Sequence, residues 1–453
     1  VGGTGFASDP VQEDSVRITI VDALDAETDS KPALLALAAL GGGPLHHLAD
    51  ERYAPCVGCF ECWTTHPGTC RAHDSANGLM RDLIGSDEAV WLVRPAFGCW
   101  SPEAKQALDK VIGLLSPFFS SVHGETHHQP RYERYPRLGV VAWMPAGAPA
   151  NERERFRLLV ARNALNLQST DSWVAFVTPD DGPEALAASI HRARADGWRS
   201  FPEVALPPVR PGAVGVPPMA RPRRVCLVVG SAKPAGTSTS EHLGRALLER
   251  LAGRGWAVNV VHVAKVVRLG RAENPALRDA VHGADLVLLA APVYVDCLPA
   301  LVLAGLASLV GASGPAFVPI LQCGFPERTH VTLALEIVER AVAQLGGRWA
   351  GHLALGAGTP YATADLSAPT GMAADQVVAL DLTAAALDRG EPIPAEATER
   401  FARNYLGPWL YRAAGQAGWV WEAWRHGALG SIGARPFEER PAPLPVVVAK
   451  AVE

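Results

Sequence analysis

Cys56, Cys59, Cys62 and Cys70 take four of the chain's eight cysteines into fifteen residues, at Cys-x2-Cys-x2-Cys-x7-Cys spacing. Thiols crowded in this way bind a soft metal or exchange electrons. Three of them at two-residue gaps and a fourth further on can wrap a cubane, each thiolate reaching a different corner while loop amides donate to the sulfides. Tetrahedral zinc is a second reading, although zinc prefers two ligand pairs set further apart. A reduced or redox-active thiol loop is the third. Cys99, in Phe97-Gly98-Cys99-Trp100, is either an extra ligand or, more simply, a core thiol, and Cys226 and Cys297 read as core residues.

A second site begins at Gly230-Ser231-Ala232-Lys233-Pro234-Ala235-Gly236-Thr237-Ser238-Thr239-Ser240, which follows an apolar strand and leads into a helix. Glycines let a ligand approach the backbone, and hydroxyls and N–H groups donate to phosphate oxygens. The helix start adds positive potential. The same hydroxyls also serve as plain helix caps. Pro292-Val293-Tyr294-Val295-Asp296 and Gln322-Cys323-Gly324-Phe325-Pro326-Glu327 each follow another apolar strand and would border the same crevice, as small turns with one aromatic that suit a flat ring. A third constellation is Glu125, His127 and His128. Neighbouring histidines point different ways on a strand or loop, so they suit acid–base work with Glu125, or plain loop hydrogen bonding, better than a shared metal.

The elements that must position these residues alternate. Apolar strands at 16–21, 89–93, 138–143 and 173–178 alternate with helices at 32–40, 75–84, 102–115 and 152–167, with Asp74 or Ser75 capping the second of these. Seven prolines between 202 and 222 break any sheet or helix there. The pattern then restarts with strands at 224–229, 258–263 and 285–290 and a helix at 241–251. The fold class is therefore α/β, two doubly wound parallel-sheet domains in tandem. The domains read as 1–201, a proline-rich linker 202–222, a second domain 223–365 and a helical, tryptophan-rich extension 366–453. Setting Pro95 beside Pro292 aligns Asp87–Phe97 with Asp285–Tyr294 as an internal repeat. The uncharged stretch 297–326 is divided by prolines and glycines into a helix and a strand, not a membrane span.

The second half resembles the flavodoxin-like NAD(P)H-dependent oxidoreductases and FMN reductases, whose first loop reads Gly-Ser-Pro-Lys before a Ser/Thr cluster; here Ala232 replaces the proline. The likeness covers about 223–437. It implies that Gly230, Ser231, Lys233, Ser238, Thr239 and Ser240 hold the FMN phosphate. Pro292, Val293, Tyr294 and Val295, with Cys323, Gly324 and Phe325, would border the isoalloxazine. The cysteine stretch resembles that of the iron-sulfur flavoproteins, with a 4Fe-4S cluster beside FMN. It is also similar to a set of uncharacterised flavodoxin-like proteins that share Trp63, Pro67, Gly68 and the Glu125–Tyr132 region. In the first half the acidic turn 22–29 would repel a phosphate, so no FMN is expected there.

With 453 residues, 48% apolar and 19% charged side chains and a net charge of -5, the chain can bury two cores and carries no basic footprint for nucleic acid or an anionic membrane. No secretory leader is visible at 1–16, which sets the expectation of a cytoplasmic protein with reduced thiols. The expected function is electron transfer between NAD(P)H, or a donor protein, and a small organic acceptor, in a homo-oligomer. The alternatives are a non-enzymatic flavin/thiol carrier or redox sensor, and a first domain that serves only as a dimerisation platform.

Overall fold

Strand order defines the architecture. The computed structural model describes residues 16–24, 31–197, 205–206, 223–309 and 314–438. In the first half β1 (Ile18–Asp22), β2 (Leu45–His47), β3 (Glu88–Val93), β6 (Arg137–Trp143) and β7 (Ser172–Val177) form a parallel sheet in the order β2-β1-β3-β6-β7. Between β3 and β6 the chain makes an antiparallel hairpin, β4 (Leu115–Val122) and β5 (Glu125–Pro130). In the second half β8 (Arg224–Val229), β9 (Ala257–His262), β10 (Leu286–Pro292), β11 (Ala316–Gln322), β12 (Arg348–Trp349) and β13 (Leu353–Leu355) repeat that order, with β12 and β13 both pairing with β11. Both sheets have the flavodoxin-like order, so the chain is a tandem of two such units. The central strands β3 and β10 are buried along their whole length, which is why they read as unbroken apolar runs.

The two halves meet about a pseudo-twofold axis. Ala96 pairs with Cys99 across one tight turn and Tyr294 with Cys297 across its counterpart, an offset of 198 residues. The strand bonds Ala23 N–H to Leu92 and Gly230 N–H to Ala290 keep that offset at their acceptors, while their donors on the first strand of each half are 207 residues apart. The repeat alignment is therefore corrected by one residue. Asp87 does match Asp285, but Pro292 matches Arg94, because backbone register and not the proline marks the strand end. Helices Pro102–Lys110 and Ala300–Ala307, each following a matched turn, pack together. Helices Ala150–Asn166 and Thr332–Gln344 exchange reciprocal ion pairs, Arg155 to Glu336 at 3.0 Å and Arg340 to Glu152. One buried apolar cluster runs through both halves, from Val93, Cys99 and Ala104 to Cys297, Leu301 and Val302.

Local chemistry shifts several element ends. The helix expected over 102–115 stops at Lys110, passes through a tight turn at Val111–Leu114 and becomes β4. Asp74 supplies the cap for helix Ala76–Ile84, its Oδ1 accepting from Ala76 N at 3.1 Å. The 366–453 stretch divides. Helices Ala374–Arg389 and Ala395–Phe401 belong to the core of the second sheet through Val377, Leu380, Leu387 and Phe401, whereas Pro408–Arg425 reaches back over β4 of the first half. The proline-rich linker lies almost wholly outside the described residues, as do 25–29 of the acidic turn. No described helix is long and apolar enough to cross a membrane.

His46 on β2 ties this edge strand to the helix that follows the cysteine loop, with Nδ1 2.8 Å from Glu51 and Nε2 3.1 Å from Asp82. Burial opposes its charge, but the bonds to Asp82 and Glu51 outweigh burial and raise the imidazole from 6.5 to about 9. The folded value lies above the unfolded one, so the stabilisation is complete below pH 6.5 and is lost as pH rises through about 9. Urea unfolding across that window should show the loss, and His46→Gln should flatten the slope.

Candidate functional site

Local bonds hold the ends of the cysteine loop. Cys70 N–H donates to Asn77 Oδ1 at 2.8 Å while Asn77 Nδ2 donates to the Cys70 carbonyl at 2.9 Å. Trp63, in the short helix Glu61–Thr64, donates from Nε1 to the Leu115 carbonyl at 3.0 Å. Cys56, Cys59, Cys62 and Cys70 share this loop, yet among the described residues no group of three or more His, Cys, Asp or Glu side chains is disposed to hold a metal ion. The loop reaches across to the second half. A Cβ built on Gly58, at φ +63, would lie 2.8 Å from Tyr294 Oη, so a glycine lets the cysteine loop close on this hydroxyl, and Lys233 Cε lies within ordinary contact at 3.9 Å. Burial, with Cys56, Asp109 and Cys59 nearby, pushes the Tyr294 hydroxyl well above its usual value.

The loop after β8 is a helix start with spare donors. Ser238 caps helix Thr239–Ala252, its Oγ accepting from Glu241 N at 3.2 Å. The first-turn amides of Thr239 and Ser240 have no acceptor within the helix. Ser240 Oγ is buried and unpartnered. Ser231 is buried and accepts from Lys233 N at 3.3 Å. Two details narrow the cradle. Glu241 takes the Gly236 amide at 2.7 Å, and Gly230 is glycine because a Cβ there would sit 2.7 Å from Val302, a packing reason and not a ligand one. At the ring end, a Cβ on exposed Gly324 would meet nothing within 4 Å, leaving open space beside Phe325, and the Gly324 carbonyl is fixed by Tyr411 Oη at 2.7 Å. The orphaned Ser240 hydroxyl, the first-turn amides, Lys233 and the open Gly324 face fit a phosphorylated flat cofactor such as FMN. Pro292 and Val293 are buried, with Val293 N–H bonded to Gln322. Cys323 donates from Sγ to the Phe325 carbonyl at 3.3 Å, and burial raises this thiol to about 12.

The turn between them is strained. Val295 and Asp296 have φ of 54 and 57, the left-handed region that a β-branched residue avoids. The first half holds the turn there. Asn163 Nδ2 donates to the Val295 carbonyl at 2.9 Å, while its Oδ1 accepts from Trp100 Nε1 at 2.7 Å. Asn166 Nδ2 and Arg162 Nε donate to Asp296 Oδ2 at 2.7 and 3.2 Å, and His330 Nδ1 donates to Oδ1 at 2.8 Å. Burial alone would raise the Asp296 carboxyl; Arg162 and His330 beside it hold it well below the usual carboxylate range.

Glu125 and His127 belong to this network. Arg162 Nη1 donates to Glu125 at 2.7 Å, and His127 lies 3.3 Å from Glu125 and 3.1 Å from Asn166 Oδ1. His128, one residue on along β5, faces the opposite way, into Trp63, Phe119 and Phe325 with ring centroids 4.5, 5.2 and 5.3 Å away. Burial lowers its imidazole to about 4, so it is neutral and apolar in role at pH 7. Sequence reasoning missed Arg162, Asn163, Asn166 and His330. The available signal was polar residues at 162, 163 and 166 on the buried face of a helix whose other buried positions include Phe156, Leu159 and Val160.

Arg162→Met should therefore strand the buried Asp296 carboxylate and the half-buried Glu125 carboxylate and cost roughly 3–5 kcal/mol, read by urea unfolding at neutral pH. Asp296 contributes stability above its unfolded value of about 4 and loses it as pH falls, so Asp296→Asn should weaken acid sensitivity while lowering stability at pH 7.

No protein-family model matches the chain, and no curated protein matches its sequence. Among solved structures it is similar to the apo form of an NADH:FMN oxidoreductase, at 23% identity over 29% of this chain and 72% of that one, TM-score 0.25. It is similar to an azoreductase from Bacillus anthracis str. Sterne at 13% identity over 40% and 99%, TM-score 0.25. A third is an NAD(P)H:quinone oxidoreductase from Methanothermobacter marburgensis, at 14% over 30% and 87%, TM-score 0.25. Each covers less than half of this chain, and these are likenesses of fold, to the flavodoxin-like α/β unit that the chain contains twice.

Proposed function

We propose that the chain is an FMN-dependent oxidoreductase that passes electrons from NAD(P)H, or from a donor protein, to a small organic acceptor. The observation that carries this reading is the approach of the cysteine loop, at Gly58, to Tyr294 and Lys233, with Cys56 and Cys59 near the Tyr294 hydroxyl, so that a thiol-bearing loop of one half adjoins the phosphate-type loop and ring turn of the other. FMN, when bound, supplies hydride acceptance and an exchange between two-electron and one-electron transfer. Ser231, Lys233, Ser238, Thr239 and Ser240 would hold its phosphate, and Pro292–Val295 with Cys323–Phe325 would border its ring. Arg162, Asn163 and Asn166 keep the ring turn in its left-handed conformation. Glu327, three residues after Gly324, accepts from Thr126 Oγ1 at 2.9 Å and lies 3.8 Å from His330 Nε2, which makes it the candidate acid–base group beside the exposed Gly324 face. Within this reading Cys56, Cys59, Cys62 and Cys70 act as redox thiols; a 4Fe-4S cluster, which would supply single-electron transfer, would require these side chains to leave the arrangement described above.

Anaerobically purified protein should be yellow and hold FMN. Ser231→Ala with Lys233→Ala should weaken FMN binding at least about ten-fold, the loss of roughly one charge-assisted hydrogen bond, and leave iron and zinc content unchanged. A colourless protein that cannot be reconstituted with FMN would end the proposal. A yellow one without iron or sulfide would confine the cysteines to thiol chemistry. Binding of a partner protein without nicotinamide turnover would favour a carrier or sensor over an enzyme.

A further inference from the structure

Cys99 and Cys297 occupy equivalent positions in the two tight turns on the pseudo-twofold axis, and neither exposes any surface. Their Sγ atoms are 2.9 Å apart, inside the separation that two non-bonded sulfurs keep, although they are 198 positions apart in the chain. Each turn is fixed by its own backbone bonds, Ala96 N–H to Cys99 and Tyr294 N–H to Cys297, so the two sulfurs approach because the domains are docked and not through a flexible segment. We propose that Cys99 and Cys297 are a dithiol/disulfide couple whose oxidation staples the two halves together at the domain interface.

The oxidant class is a small disulfide. One protein thiol, as thiolate, attacks it and releases one small thiol. The second protein sulfur then attacks the mixed disulfide and releases the other, so two protein thiols lose two electrons and two protons and one small disulfide becomes two thiols. Burial pushes the Cys99 thiol well up, while the buried Lys105 ammonium, paired with Asp109, is the neighbouring charge that favours a thiolate. The counterparts of Lys105 and Asp109 on the other side of the axis are Leu303 and Ala307, so a single ammonium serves both sulfurs. Reaction in the folded protein is slow and follows opening of the interface; it bonds groups that already touch. The bond would close a loop of 198 residues, long enough for a crosslink to restrict the unfolded chain strongly.

The test uses the full chain with Cys56, Cys59, Cys62 and Cys70 changed to Ser, refolded from urea in oxidised and reduced glutathione so that burial imposes no kinetic block. After alkylation in denaturant and digestion, the peptides carrying Cys99 and Cys297 should appear joined, two hydrogens below their summed mass. The intact oxidised protein should run ahead of the reduced one on a non-reducing denaturing gel and melt several degrees higher. Cys99→Ser and Cys297→Ser should each abolish the fast band. Recovery of both cysteines singly alkylated, capped by glutathione, or joined to Cys226 or Cys323 would overturn the proposal.

Discussion

The Arg162 guanidinium is the interaction on which the rest depends. It is fully buried, and it bridges Glu125 of the hairpin and Asp296 of the opposite domain. A charge so far from water persists only when its donors are met by paired acceptors. The requirement runs both ways. The carboxylate of Asp296 needs Arg162, Asn166 and His330, and those bonds hold Val295 and Asp296 in a left-handed turn that their side chains disfavour. The second domain's candidate ring turn is thus shaped by a helix of the first domain.

The repeat of one fold within the chain makes this possible. Matched turns, matched helices and reciprocal ion pairs retain the self-complementary logic of a symmetric dimer inside one chain. The two copies differ in what they carry. The second keeps a helix-start loop with spare donors, whereas the position matching Gly230 is Ala23 in the first, and the first instead carries the cysteine loop and the β4–β5 hairpin. Because the axis places these additions against the other copy's crevice, each half completes what the other lacks.

Aromatic packing locks the additions down. Phe60 and Trp63 of the cysteine loop pack on each other and on Trp419, and Phe119 of the hairpin packs on Tyr411 and Phe325, so helix Pro408–Arg425 joins loop, hairpin and ring turn. Gln416 adds a polar stitch, accepting from Phe119 N–H at 3.1 Å and donating to its carbonyl at 3.0 Å. The tryptophans of this region therefore differ in role. Trp419 faces the hub, while Trp409, Trp421 and Trp424 face outward.

The sequence by itself determined the two parallel sheets, because apolar runs buried on both faces and separated by amphipathic helices leave few other solutions. It also marked the cysteine loop and the Gly230–Ser240 loop, whose residue types are contiguous and so carry their own signature. Only the tertiary structure decided that these loops meet, that Cys99 and Cys297 touch, and that His127 joins an ionic network while His128 joins an aromatic one. It also decided that helices beyond residue 366 complete the second core. The physical reason is range: periodicity and turn chemistry act over a few residues, whereas the Arg162 network and the thiol contact exist only once two separately readable units have docked with a definite rotation between them.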